Sequence, residues 1–182
     1  STVSLAKLTA TGTKSSSTFL RGDNTFAEAG GKFESALLHV RDEKTALSTG
    51  GSSIAGYQTR VLNTVVTNEI SGASLSSNTI TLPSGTFYVT AMAVTLRSGQ
   101  NKLFFYNNTD SSDVLIGSQA YNGSGDTLTV PAFVSGRFTI ASSKDFILRH
   151  YIQIAKSGDG LGQGDVSLGT EIYSDVQIWK VA

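Results

Sequence analysis

Three polar, glycine-rich stretches carry the side chains best suited to chemistry at a surface: RSGQNK with Arg97, Gln100, Asn101 and Lys102, YNGSGDT with Tyr121, Asn122 and Asp126, and SGDGLGQGDVS with Asp159, Gln163 and Asp165. Amides, carboxylates and a tyrosine presented from loops on a rigid scaffold suit a carbohydrate or another cell-surface polymer. Ordinary solvated turns have the same composition. Asp159 and Asp165 share one loop, and a glycoside hydrolase needs two carboxylates facing one substrate at a matched separation. Nothing in the sequence brings either acid to a cleft, and the long repetitive array of a parallel β-helix depolymerase is absent.

Other reaction classes fare worse. The chain has no cysteine, no G-x-S-x-G turn, and only His39 and His150 as possible bases. His150 alternates with apolar residues and reads as a satisfied buried imidazole. His39, near Arg41, reads as an interface or surface group. A histidine close to a threefold axis can bind metal together with its symmetry mates, yet no H-x-H pair supports this. Neither GDGLGQGD at 158–165 nor Asp110-Ser111-Ser112-Asp113 has the ligand spacing of an EF-hand loop. The expectation is no catalytic residue, no metal site and no cofactor.

The elements that position these loops are strands. From Phe33 onward, short β-branched and aromatic runs alternate with Gly, Ser, Asn and Asp clusters, as in a sandwich or barrel, and no amphipathic helix stands out. Period two places Phe146, Leu148, His150, Ile152 and Ile154 on one face of a strand over 145–156, with Ile147, Arg149 and Tyr151 opposite. Ile172, Val176 and Ile178 fall together near the C-terminus, leaving Tyr173, Asp175, Gln177, Trp179 and Val181 on the other side. The strand over 87–96 is apolar on both faces, with Phe87, Val89, Ala91 and Ala93 against Tyr88, Met92, Val94 and Leu96. A sandwich strand that is apolar on both sides points to a neighbouring subunit. Tyr88, Met92, Phe105, Tyr151, Tyr173 and Trp179 are the side chains expected to meet it. The alternative cover is a long loop over 41–58.

Strand parity also assigns the loops. With a last strand over 170–181, the segments 157–167, 121–127 and 97–102 share one end, and 83–85, 107–113 and 142–145 share the other.

Composition sets the limits. Fourteen basic and fourteen acidic residues among 182 leave no net charge, and no run of either sign tracks a phosphate backbone, so nucleic acid is not expected. With no disulfides, packing or oligomerisation must hold the protein together. No apolar run reaches the length of a membrane span, and no signal peptide opens the chain. A start at Ser1 fits loss of an initiator Met or a piece of a longer chain. Residues 1–32 are rich in Ser, Thr and Gly and end at the Gly30-Gly31 joint, so the expected division is an extended shaft or attachment segment over 1–32 and one domain over 33–182.

The segment TATGTKSSSTFLRGDNTFA, Thr9 to Ala27, resembles a motif that recurs in bacteriophage tail-fibre and tail-tip proteins. Arg21-Gly22-Asp23 within it is the tripeptide that integrins recognise, but Gly22 and Asp23-Asn24 are also turn formers. Residues 33–182, through LLHVRDEK at 37–44, TRVLNT at 59–64 and SDVQIW at 174–179, look like head domains of phage fibres. Those heads resemble the trimeric jelly roll of the tumour-necrosis-factor and complement globular-head superfamily. The resemblance implies an all-β antiparallel jelly-roll β-sandwich, a homotrimer, and both termini at a base, with the loops over 97–102, 121–127 and 157–167 at an exposed apex. It also implies a non-enzymatic protein of the virion exterior, extracellular once assembled, joined to other virion proteins through its N-terminal segment and binding a host surface glycan or protein. A capsid decoration or head-fibre trimer and a polysaccharide depolymerase are the alternatives.

Overall fold

Alternation between apolar and polar side chains becomes two antiparallel sheets with a core between them. The computed structural model describes residues 11–13, 15, 18–20, 22, 25–28, 36–164 and 169–181, and the chain divides into two units, Ser1–Phe33 and Glu34–Ala182. In the first unit, β1 (Thr18–Leu20) and β2 (Phe26–Glu28) pair antiparallel. A segment expected to run extended thus doubles back on itself. Gly22 lies in the intervening turn, whereas Arg21, Asp23 and Asn24 lie outside the described residues, as does the Gly30-Gly31 joint.

The second unit holds eleven strands and, among the described residues, no helix. In order they are β3 (Leu37–Lys44), β4 (Gly56–Thr59), β5 (Thr64–Asn68), β6 (Ser74–Ser76), β7 (Thr79–Leu82), β8 (Gly85–Leu96), β9 (Gly99–Asn107), β10 (Ser112–Asn122), β11 (Thr129–Ile140), β12 (Lys144–Ile152) and β13 (Glu171–Lys180). One sheet runs β11-β8-β13-β3-β5 and the other β10-β9-β12-β7-β6. The far edge of β12 is shared, with β7 paired to its first residues and β4 to its last. This is the expected all-β jelly-roll sandwich.

Inward side chains from both sheets are almost fully buried, including Leu38, Val89, Val176 and Ile178 from one sheet and Ile80, Leu103, Phe105, Phe146 and Leu148 from the other. Burying such side chains drives the two layers together. Phe105 and Phe146 stack with centroids 5.0 Å apart, and Phe138 from the facing sheet lies 5.3 Å from Phe146 and 5.5 Å from Phe105. Each such ring pair adds about 0.5–1.5 kcal/mol beyond its area. Phe105, expected at a subunit interface, is therefore core: period two turns it inward with Leu103. The sandwich closes on one side where β10 passes β11. A Cβ on Gly117 would strike the carbonyl oxygen of Phe133, so only glycine allows that approach.

Sequence periodicity missed one irregularity. Between Ile172 and Ser174 the pairing of β13 with β3 slips, with Ile172 opposite Glu43 and Ser174 opposite Asp42. Tyr173 is the extra residue of this bulge. Its ring turns into the molecule, leaving the residue 3% exposed, and its hydroxyl donates to the Ser48 carbonyl. It is not an interface residue.

Candidate functional site

Hydrogen bonds gather four connections at one end of the sandwich. Leu96 N donates to Gly160 O at 3.0 Å, Gly50 N to Gly162 O at 2.8 Å, Ile154 N to Ser98 O at 2.9 Å and Arg97 Nε to Asp126 O at 2.7 Å. Segments 45–55, 97–98, 123–128 and 153–164 therefore form a single apical end, which strand parity predicts for 97–102, 121–127 and 157–167 and does not assign for 45–55. At the opposite end Asn108 N donates to Asp145 O, Lys180 N to Ala36 O and Val181 N to Thr86 O. Ala36 and Val181, at the two ends of the described second unit, thus lie at the base. The segment 45–55 joins the apex and leaves Tyr88 and Phe133 exposed on the sheet it was expected to cover as an alternative to a subunit.

Within the apex, the sequence-predicted residues separate by depth. Asn101 and Asn122 are 1% exposed and serve the interior. Asn122 Nδ2 donates to Thr95 O at 2.8 Å and its Oδ1 accepts from Ser98 N at 2.9 Å, while Asn101 Oδ1 lies 3.0 Å from His150 Nε2. Asn122 ties its sheet to β8 of the other through Thr95, while Asn101 holds His150 within its own sheet and donates to Ser98 Oγ at the crossing, so both amides are engaged by interior groups. The remaining residues are at the surface. Asp126 caps its own turn through Gly123 N, Asp159 pairs with Lys156, and Gln163 is exposed. Asp165 lies outside the described residues.

Gln100, Lys102 and Tyr121 sit on strands rather than loops, because β9 starts at Gly99 immediately after a two-residue crossing. Gly99 has φ +64°, and a Cβ there would meet the Gln153 Oε1 that accepts from Gln100 N at 2.9 Å. Register then sets a row across the outer face of this sheet. Gln119 is opposite Lys102, Lys102 opposite Tyr151, and Tyr151 opposite Tyr57. Tyr121 and Gln100 form the row toward the apex, and Phe104 and Arg149 the row toward the base.

Together Tyr57, Gln100, Lys102, Phe104, Gln119 and Tyr151 line a groove of about 240 Å³ floored by Asn101. Tyr57 meets Tyr151 edge-on at 5.2 Å and Phe104 at 5.7 Å. Beneath it the Arg149 guanidinium lies 4.3 Å from the Tyr57 centroid and 3.8 Å from that of Tyr106, and it pairs with Asp113. Such sandwiching holds the exposed ring in place. Tyr151, expected at a subunit interface, instead forms a wall of this groove. Sequence reading missed Tyr57, Gln119 and Arg149: the alternation of Arg149 and Tyr151 marks them as outward, but the pairing of β4 with β12 is too remote in sequence to show.

Beneath the apex lies a polar layer built on Arg60, which is fully buried. Its Nε donates to Ser174 Oγ at 3.0 Å, and its NH2 donates to Leu161 O at 3.1 Å and Tyr173 O at 2.9 Å. Burial lowers the Arg60 pKa to about 10, opposed by the charge of Asp42. Burial likewise raises Asp42 and, helped by the Arg60 charge, holds His150 well below its ordinary value. His150 matches the expected buried imidazole on Nε2, but its Nδ1 has no hydrogen-bond partner among the described residues.

The outer face of the other sheet differs. Phe133 is opposite Met92, Met92 opposite Asp175, and Asp175 opposite Arg41. Nearer the base, Arg137, Tyr88, Trp179 and Leu37 form another row, with Tyr88 and Trp179 rings 6.3 Å apart. Phe133 is 53% and Tyr88 39% exposed. The β13 and β3 side of this face is polar, with Asp175 Oδ2 2.6 Å from Arg41 Nε and 2.9 Å from His39 Nε2. Partial burial works to raise the Asp175 carboxyl, but these two hydrogen bonds outweigh it and hold the group below its ordinary value. Tyr88, Met92 and Trp179 thus share one face, while Tyr151 lies on the other sheet.

Among solved structures the chain is similar to murine APRIL. At pH 5.0 the identity is 10% and the TM-score 0.53, and at pH 8.0 they are 7% and 0.52, each match covering 80% of this chain and 98% of that one. The globular domain of zebrafish complement 1qA gives 14% identity and a TM-score of 0.49, over 82% of this chain and 98% of that one. No family model and no curated protein matches the chain. At such identities the likeness to murine APRIL shows the fold alone, an antiparallel β-sandwich jelly roll.

Proposed function

We propose that the chain is a non-enzymatic, homotrimeric receptor-binding head of a phage tail fibre or tail tip. Residues 1–32 attach it to other virion proteins, and the head stands on the virion exterior. The observation that carries this reading is the outer face of β11-β8-β13-β3-β5, where exposed Phe133 pairs with half-buried Met92 in one row and exposed Tyr88 with half-buried Trp179 in another, with Ser135, Thr90 and Gln177 between the rows. Large exposed aromatic side chains on the outer face of a β sheet suit an interaction site, and closed symmetry is the usual way to bury a repeated face. The trimeric jelly roll implied by the sequence resemblance supplies the symmetry. The phage assignment is supported by the fibre-like segment Thr9–Ala27.

Host contact falls to the apical end and the adjoining groove, through Arg97, Gln100, Lys102, Tyr121, Asp126, Asp159, Gln163 and Asp165. Three copies on one rigid trimer raise avidity without strong single contacts.

Sedimentation of the purified chain tests the assembly. A single-chain species at micromolar concentration contradicts it. Electron microscopy of virions labelled on this protein separates a tail location from a capsid decoration or head-fibre trimer, since label on the head shell sinks the tail assignment. A depolymerase would release reducing sugar from host polysaccharide, and none is expected.

A further inference from the structure

We propose that the groove between Tyr57, Tyr151 and Lys102 seats one ring of an anionic saccharide, an inference that rests on the receptor-binding reading above. The first argument is shape. At about 240 Å³ the groove is smaller than an enclosed small-molecule site of about 300–1,000 Å³, which suits a single ring of a chain whose other units remain in solvent.

The second argument is the chemistry of the walls. Tyr57 is 53% and Tyr151 38% exposed, yet their edge-on contact, with the Arg149 guanidinium over Tyr57, holds the pair on the sheet. Fixed, exposed aromatic rings offer a flat surface to the C–H face of a pyranose and lose little entropy on binding. Gln100 and Gln119 are exposed, and neither side-chain amide has a hydrogen-bond partner among the described residues. Each amide both donates and accepts, which matches sugar hydroxyls.

The third argument is charge. Lys102 lines the groove and makes no ion pair among the described residues, whereas the neighbouring Arg149 is neutralised by Asp113. No carboxylate lines the groove. The site therefore presents one uncompensated ammonium beside two aromatic rings, and a carboxylate-bearing sugar complements it.

The test titrates the full chain with an oligogalacturonate, an oligosialate and an uncharged dextran oligomer, by calorimetry or saturation-transfer NMR. At least one acidic oligomer is expected to bind and dextran is not. Lys102→Gln is expected to weaken that binding about tenfold or more, the loss of a charge-assisted hydrogen bond, while Lys102→Arg retains it. Tyr151→Ala is expected to abolish it, with oligomeric mass unchanged. Failure of both acidic oligomers to bind, equal binding of dextran, or indifference to Lys102→Gln overturns the inference.

A parallel measurement separates this from the wider reading. If fluorescently labelled chain adheres to bacterial cells and Lys102→Gln adheres equally, the groove is excluded and receptor binding stands. If the unaltered chain adheres to no cells across a panel that includes the host, the receptor reading itself fails, and the groove inference falls with it.

Discussion

The two outer faces of the sandwich use the same strand periodicity for opposite ends. On the β11-β8-β13-β3-β5 face, large apolar side chains come in two rows, Phe133 with Met92 and Tyr88 with Trp179, on either side of a row of Ser135, Thr90 and Gln177, and among the described residues no cation lies over any of these aromatic rings. On the β10-β9-β12-β4 face, the aromatic rings are pinned one by one, Tyr57 between Tyr151, Phe104 and the Arg149 guanidinium, and polar groups intervene. Under the proposed reading, the difference separates a surface suited to a protein partner from one suited to a small polar ligand. A partner subunit supplies its own cover, so its docking face needs only area, whereas a sugar ring needs walls already in place.

The most severe way to break this contrast is a charge at the centre of the apolar face. Met92→Asp places a carboxylate where assembly would bury it, at a cost of about 3–5 kcal/mol, and is expected to reduce the oligomer to single chains in light scattering. Ile116→Asp, on the opposite sheet and 63% exposed, is expected to leave the mass unchanged. Equal effects from the two would erase the distinction.

Next in size is Arg60→Leu, which strikes the layer behind the apex. It leaves Leu161 O and Tyr173 O without this donor and removes one of the two positive charges acting on Asp42, the other being Lys44, and about 3–5 kcal/mol of unfolding free energy is expected to go. Denaturant titration checks it. Smaller again is Arg149→Ala, which removes the support of Tyr57: about 1–2 kcal/mol is expected from lost cation–π contacts and the Asp113 pair. Oligomeric mass should not move.

Acid provides the gentlest perturbation. The folded-state pKa of His150 is depressed, so the unfolded chain binds the extra proton, and stability falls as pH drops below the ordinary histidine value of 6.5. The folded pKa of Asp175 is also depressed, so its contribution is present above the ordinary value of 3.8 and is lost as pH falls through the lower folded value. Two successive losses are expected on acidification, and His150→Leu should flatten the first alone. A melting temperature independent of pH between 7 and 5 in the unaltered chain would contradict the burial of a neutral His150.

Much of the fold was written in local alternation. β8 and the inward set Phe146, Leu148, His150 and Ile152 follow period two, and counting strand directions gathers the apical connections correctly. Local alternation fails where the chain departs from it. Asn101 and Asn122 stand among Gly, Ser and Asn and so read as loop residues, but the two-residue crossing at Arg97-Ser98 puts Asn101 on β9, Asn122 is the last residue of β10, and strand pleating turns both inward. Tyr173 was assigned outward because a bulge is invisible to a strict two-residue period. Tyr57 and Arg149 meet through strand pairing between segments far apart in sequence, which no short-range pattern encodes. Gln100, Lys102 and Tyr121 were recognisable by type, but their row on the sheet required the register.

The central claim is that the two faces serve different partners, one a copy of this chain. Multi-angle light scattering of the purified full chain tests it most directly. The account predicts a species of three 19.1 kDa chains, about 57 kDa, that collapses to one chain on Met92→Asp and persists with Lys102→Gln. A single chain at micromolar concentration, or a trimer indifferent to Met92→Asp, would contradict it.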